Sequence, residues 1–119
     1  MILLDTHALV WLLSGNKRVR KLPSRERLFV SPVSLLELRL LEEIGRFAIE
    51  GSARLDDDPR FAVDNPSSAA LFEAAVPLPW TRDPFDRLVV GHAHLRSWRL
   101  ATADTRILGH LPREAVFEL

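Results

Sequence analysis

No cysteine occurs among the 119 residues, so disulfides and thiolate-bound zinc are both excluded, and a reducing compartment suits the chain. There is no excess of either charge: sixteen basic residues balance sixteen acidic ones. A nucleic-acid partner is therefore not announced by net charge and has to be sought in local clusters. No apolar run approaches the roughly 18–20 residues of a membrane span, and no basic segment with a cleavable apolar stretch opens the sequence. These absences lead to the expectation of a cytoplasmic protein with no membrane partner. What remains is an ordinary globular balance, 47% apolar and 27% charged, enough for one hydrophobic core and short for two. Residues 1–119 are read as a single domain.

The charge that is present is unevenly placed. Residues 16–27, NKRVRKLPSRER, hold Lys17, Arg18, Arg20, Lys21, Arg25 and Arg27 against the single acid Glu26. Such a run is able to follow a phosphate backbone, although on this feature alone a solvated loop is the preferred reading.

Short apolar runs alternate with helical patterns. Ile2–Leu4, Leu28–Val30, Arg99–Thr102 and Ala115–Phe117 read as strands. Helices are expected over about 7–13, from Ser31-Pro32 to about Ile44, over 67–76, from Asp83-Pro84 onward, and from Asp104 to about Gly109. Residues 46–64 carry little pattern. The alternation predicts an α/β fold, one three-layer domain whose central, mainly parallel sheet is flanked by helices. In such sheets functional groups collect at the carboxyl ends of strands. Asp5 and Asp104 both fall there.

An Asp between two apolar runs, as in MILLDTHALVW, needs compensation, because desolvating an unpaired carboxylate costs several kcal/mol. Other acids share that predicament. In PVSLLELRLLEEI the spacing puts Val33, Leu36, Leu40, Leu41 and Ile44 on a core-facing stripe, with Glu37 in its middle at about 100° per residue. Leu35 and Leu38 then fall on the opposite face, where they are candidates for a contact with a partner. In DPFDRLVVGHAH, Asp83 is explained by capping a helix whose first residue is Pro84, and Asp86 stands at its third position. Phe85, Leu88, Val89 and Leu95 are expected to seat that helix on the sheet. Asp104 has the same capping explanation. Asp56, Asp57 and Asp58 read as an exposed loop, His92 and His94 lie some 200° apart on a helix and cannot chelate together, and His7 is expected to pack.

LLDTHALVW, FVSPVSLLEL with the later IGRF, RDPFDRLVVGHA and LATAD occur in an order, and over a span, that resembles the PIN-domain family. The likeness is greatest to the VapC-type toxin ribonucleases of bacterial type II toxin–antitoxin pairs, in an RDPFDR subgroup. The resemblance implies that Asp5, Glu37, Asp86 and Asp104 are the family's catalytic acids, with Asp5, Asp86 and Asp104 holding metal and Asp83 and Thr102 in support. Leu36 replaces an aromatic residue and Leu41 a lysine that relatives often carry, and neither change removes an acid.

Four carboxylates within about 6 Å of one another repel by about 3 kcal/mol per pair at an effective dielectric near 20, on the order of 15 kcal/mol in all. Protons or a multivalent cation must relieve that charge, and an all-oxygen donor set favours Mg²⁺ or Mn²⁺. The implied reaction is hydrolysis of an RNA phosphodiester to a 5′-phosphate and a 3′-hydroxyl, with Glu37 holding or deprotonating the attacking water. Lys17, Arg18, Arg20, Arg82 and Arg87 are candidate RNA contacts. A cognate antitoxin and a homodimer are also implied. The rival reading keeps the fold but makes it a non-catalytic module that recruits an arginine-rich protein.

Overall fold

The computed structural model describes residues 1–48 and 55–119. Five parallel strands form one sheet in the order β3-β2-β1-β4-β5: β1 (Ile2–Leu4), β2 (Leu28–Val30), β3 (Ala62–Val63), β4 (Arg99–Thr102) and β5 (Val116–Glu118). Parallel pairing requires crossovers, and among the described residues five α-helices serve them: α1 (Thr6–Ser14), α2 (Pro32–Glu43), α3 (Ser68–Ala75), α4 (Pro84–Arg96) and α5 (Thr105–His110). Three of the four strands expected from the sequence have the bounds observed, and the fourth, β5, is shifted by one residue. β3 lies in the stretch that carried little pattern.

The alternation of side chains along β1 divides the core between two faces. Ile2 and Leu4 join Ala8 and Leu9 of α1 and Leu38 of α2, whereas Leu3 joins Val89, Val90 and Ala93 of α4 and Ile107 of α5. The result is the three-layer α/β domain. Helix α3 lies against α4 at Gly91, where a Cβ would stand 3.0 Å from both the Ala74 carbonyl carbon and the Ala75 nitrogen. Only a residue without a side chain allows that approach. Among the described residues no helix is long and apolar enough to cross a membrane.

Two packing expectations are corrected. On α2 it is Ser34 and Leu38 that are buried, and Leu35 packs against the core. Leu36, Leu40 and Ile44 are exposed at 57%, 38% and 64%, so the stripe faces the other way and Leu38 is closed to any partner. On α4, Leu95 is exposed, and the sheet is met by Val89, Val90 and Ala93.

Candidate active site

Chain direction brings the acids together. From β1 the chain steps outward through β2 to β3, then crosses back to β4 on the other side of β1. The carboxyl ends of β1 and β4 thus lie side by side at the point where the winding reverses, the usual place for a crevice in open α/β sheets. The Asp5 amide donates to the Ala101 carbonyl at 3.1 Å and fastens the two ends together.

A cleft of about 140 Å³ opens there, and Asp5, Glu37, Asp83, Asp86 and Asp104 all line it, with Thr6 and His7. Three of these acids are also helix N-caps. Asp5 Oδ1 accepts the Ala8 amide at 2.7 Å, Asp83 Oδ1 the Phe85 and Asp86 amides at 2.8 and 3.3 Å, and Asp104 Oδ1 those of Arg106 and Ile107 at 2.8 and 3.3 Å. Capping and lining the cleft are therefore compatible, since one oxygen makes the cap bonds. Helices α1, α4 and α5 turn their positive ends toward the acids, which offsets part of the repulsion.

The remaining charge shows in the proton affinities. Burial pushes the Asp86 carboxyl up to about 6, and Asp83, Asp104, Glu37 and Asp5 push in the same direction. Burial also raises Asp5, against the lowering effect of hydrogen bonds from Thr102 and the Ala8 amide. Glu37 is raised by burial and by Asp83 and Asp5, while a hydrogen bond from Thr6 works to lower it. Asp5, Glu37 and Asp86 are thus all held above the usual carboxylate range, with burial the largest cause at each.

Donor chemistry and placement both bear on which cation fits. All five acids offer hard oxygen, suited to Mg²⁺ or Mn²⁺. No three described histidine or acidic side chains, however, are drawn close enough together to hold one ion directly. Mg²⁺ keeps several of its waters and takes only one or two carboxylates directly, so acids spread around a small cleft suit it.

Thr102 lies fully buried beneath the site, and besides its bond to Asp5 its hydroxyl accepts the Asp104 amide at 3.0 Å. Thr6 escaped the sequence reading. It is buried, and its hydroxyl is hydrogen-bonded to Ser34 Oγ at 3.2 Å, linking the starts of α1 and α2. Its one visible signal was its place directly after Asp5. His7 is a further correction: it is exposed on the cleft rim instead of packed. His92 is buried with Nε2 2.8 Å from Asp64, and His94 is exposed, so the two histidines do not act together. Asp56 and Asp57 are exposed, and Asp58 is paired with Arg60 at 2.7 Å.

The basic candidates divide. Lys17, Arg18 and Arg20 are exposed on a short 3-10 helix, Lys17–Lys21, and Arg18 reaches a second cleft beside Asp5 and Asp104. Arg82 is exposed next to Asp83. Arg87 is half-buried, its Nε donating to the Thr81 carbonyl at 2.8 Å, which ties α4 to the loop before it.

Known proteins share this plan. The family model described as PIN domain matches residues 2–113. Ribonuclease VapC22 of Mycobacterium tuberculosis (strain ATCC 25618 / H37Rv) is 30% identical, over 92% of this chain and 91% of its own length. Among solved structures, VapBC2 from Rickettsia felis bound to a DNA fragment from their promoter superposes with a TM-score of 0.72 at 18% identity, covering 100% of this chain and 99% of that one. A toxin–antitoxin complex from Klebsiella pneumoniae gives 0.69 at 19%, with full coverage of both chains. At those identities the structures speak for the fold alone, whereas the family model and the mycobacterial relative reach further: the chain belongs to the PIN-domain family and is of the VapC type.

Proposed function

We propose that the protein is a metal-dependent endoribonuclease and the toxin of a type II toxin–antitoxin pair. The observation that carries this reading is the meeting of five carboxylates in one cleft at the β1–β4 crossover, with the Asp86 carboxyl pushed up to about 6. Its ribonuclease relative supports the activity, and the toxin–antitoxin complexes among its structural neighbours support the partner.

Asp5, Asp86 and Asp104 are assigned to hold Mg²⁺ or Mn²⁺, and Asp83 to add charge beside them. The bound ion would neutralise phosphate charge and make water a better nucleophile at neutral pH. Glu37, on the α2 side of the cleft, is assigned to orient the attacking water and take its proton. Thr102 positions Asp5 and Asp104 through its hydroxyl. Lys17, Arg18, Arg20, Arg82 and Arg87 are assigned to the RNA strand, and the products are a 5′-phosphate and a 3′-hydroxyl. A homodimer belongs to the same proposal. The antitoxin contact moves from Leu35 and Leu38 to the exposed row Leu36, Leu40 and Ile44.

The test is cleavage of single-stranded RNA by purified protein. Mg²⁺ or Mn²⁺ should support it, EDTA should stop it, and Asp104→Asn should lower it at least a hundredfold with an unchanged circular dichroism spectrum. Cleavage that persists in EDTA or in the variant would overturn the assignment. A protein that cleaves nothing yet binds arginine-rich peptides in EDTA would favour the rival binding module.

A further inference from the structure

A second cleft, of about 260 Å³, adjoins the acidic one and shares Asp5, His7 and Asp104 with it; its other walls are Trp11, Arg18 and Ala103. Local structure fixes how Arg18 arrives there. Gly15, at φ 71°, ends α1 in the left-handed conformation that glycine tolerates best, and turns the chain back along the helix. Asn16 then caps the 3-10 helix by accepting the Arg18 amide at 2.9 Å. As a result the Arg18 guanidinium lies over the Trp11 ring, 4.7 Å from its centroid, while Trp11 packs against the core.

We propose that Arg18, backed by Trp11, is a stacking shelf for the RNA base next to the scissile phosphate. This rests on the ribonuclease reading and adds to it a subsite and its ligand. A guanidinium supported by an indole presents a flat cationic face, and unpaired bases stack on such faces whatever their sequence. Two acids, Asp5 and Asp104, border the same cleft. Both also line the acidic cleft, so the space beside Arg18 is continuous with the place of the scissile phosphate. Among the described residues Arg18 has no carboxylate within ion-pair range, so its flat face is not committed to a salt bridge. A strand whose phosphate occupies the acidic cleft therefore has its neighbouring base delivered onto this shelf.

The experiment is a cycle between protein and substrate. Oligoribonucleotides with and without an abasic site beside the cut are compared on wild type, Arg18→Ala, Arg18→Lys, Trp11→Ala and Trp11→Phe. Removing the base should raise the wild-type KM about tenfold, the usual scale of one stacking contact. Arg18→Ala and Trp11→Ala should raise it similarly for intact RNA, with the loss in KM and not in kcat, and the abasic change should then add nothing. Trp11→Phe should recover most of the affinity. The same comparisons are made by fluorescence anisotropy on Asp86→Asn protein, a readout independent of cleavage. Equal abasic penalties with and without Arg18 would overturn the shelf. So would an Arg18→Ala loss that is the same for abasic RNA, which would make the contact one to phosphate. If wild type cleaves no RNA, the ribonuclease reading fails by itself and the anisotropy cycle alone decides on the shelf.

Discussion

Asp83 anchors Asp86 and resists its ionisation at the same time: Asp83 Oδ1 accepts the Asp86 amide at 3.3 Å, while its charge, second only to burial, raises the Asp86 carboxyl toward about 6. The two effects are separable, because asparagine caps a helix about as well as aspartate but carries no charge. Asp83→Asn should therefore leave α4 in place and lower the Asp86 pKa. In metal-free protein the Asp86 carboxyl carbon, followed by NMR, should titrate at a lower pH than in wild type. A midpoint that does not move would show that Asp83 does not act on Asp86 through charge.

Asp86 itself destabilises the metal-free fold at neutral pH. Its folded pKa lies above the unfolded value, so the folded state binds the extra proton between about 4 and 6. The stability belonging to the protonated form is complete below the unfolded pKa and is lost as pH rises through the folded one. Asp86→Asn should raise stability in EDTA at pH 7.5 by roughly 1–2 kcal/mol, a figure discounted because the side chain is half open to solvent. The gain should vanish near pH 4. Mg²⁺ should stabilise wild type by mass action and the variant less. Urea unfolding at the two pH values, with and without the ion, checks all three statements.

Boundaries were legible because particular residues mark them. Ser31-Pro32 and Asp83-Pro84 are a cap followed by proline at the first helical position, and α2 and α4 begin there. Asp5, Asp86 and Asp104 were legible because each broke an apolar context at a strand end or helix start, and Glu37 because it interrupted a leucine-rich helix; the crossover topology brings them to one cleft. The face of α2 was not. Leucines at 35, 36, 38, 40 and 41 surround most of the helix, so the stripe expected from periodicity had a rival of nearly equal strength on the opposite face, and that rival is the buried one. The deciding contact is non-local: Ser34 meets Thr6 of α1. Strand β3 was missed because two residues at a sheet edge are too few to alternate. His7 was misplaced because no spacing in its own neighbourhood distinguishes a rim from an interior.

The reversal on α2 is measurable. Leu38 is fully buried among Leu4, Leu9 and Val30, so Leu38→Ala should cost about 2–5 kcal/mol, from lost transfer energy and the cavity left behind. Leu36, 57% exposed, should cost under about 0.5 kcal/mol on the same change. Chemical denaturation of both variants gives the comparison, and a larger loss at Leu36 would restore the orientation expected from periodicity.

At the far edge of the sheet, Asp64 joins β3 to α4. Its Oδ2 lies 2.8 Å from His92 Nε2 and 2.7 Å from Arg96 Nε, with Arg96 Nη2 3.3 Å from Oδ1. Burial alone would raise this carboxyl, yet the hydrogen bonds from Arg96 and His92 outweigh it and hold it below the usual aspartate range. His92 is lowered, chiefly by burial, and stays neutral at pH 7 with its Nε2 hydrogen on Asp64. Asp64→Asn keeps an acceptor for His92 but removes the charge facing Arg96, and should lower stability at pH 7, modestly because Arg96 is exposed. The sign with pH runs opposite to that of Asp86. A depressed carboxyl contributes stability above its unfolded pKa and loses it as pH falls through the folded value, so the gap between wild type and variant should be constant from pH 5 to 7 and close below about pH 4. Urea unfolding from pH 7 downward is the measurement, and a gap that does not narrow as pH falls below about 4 would assign the loss to packing and not to the ionised network.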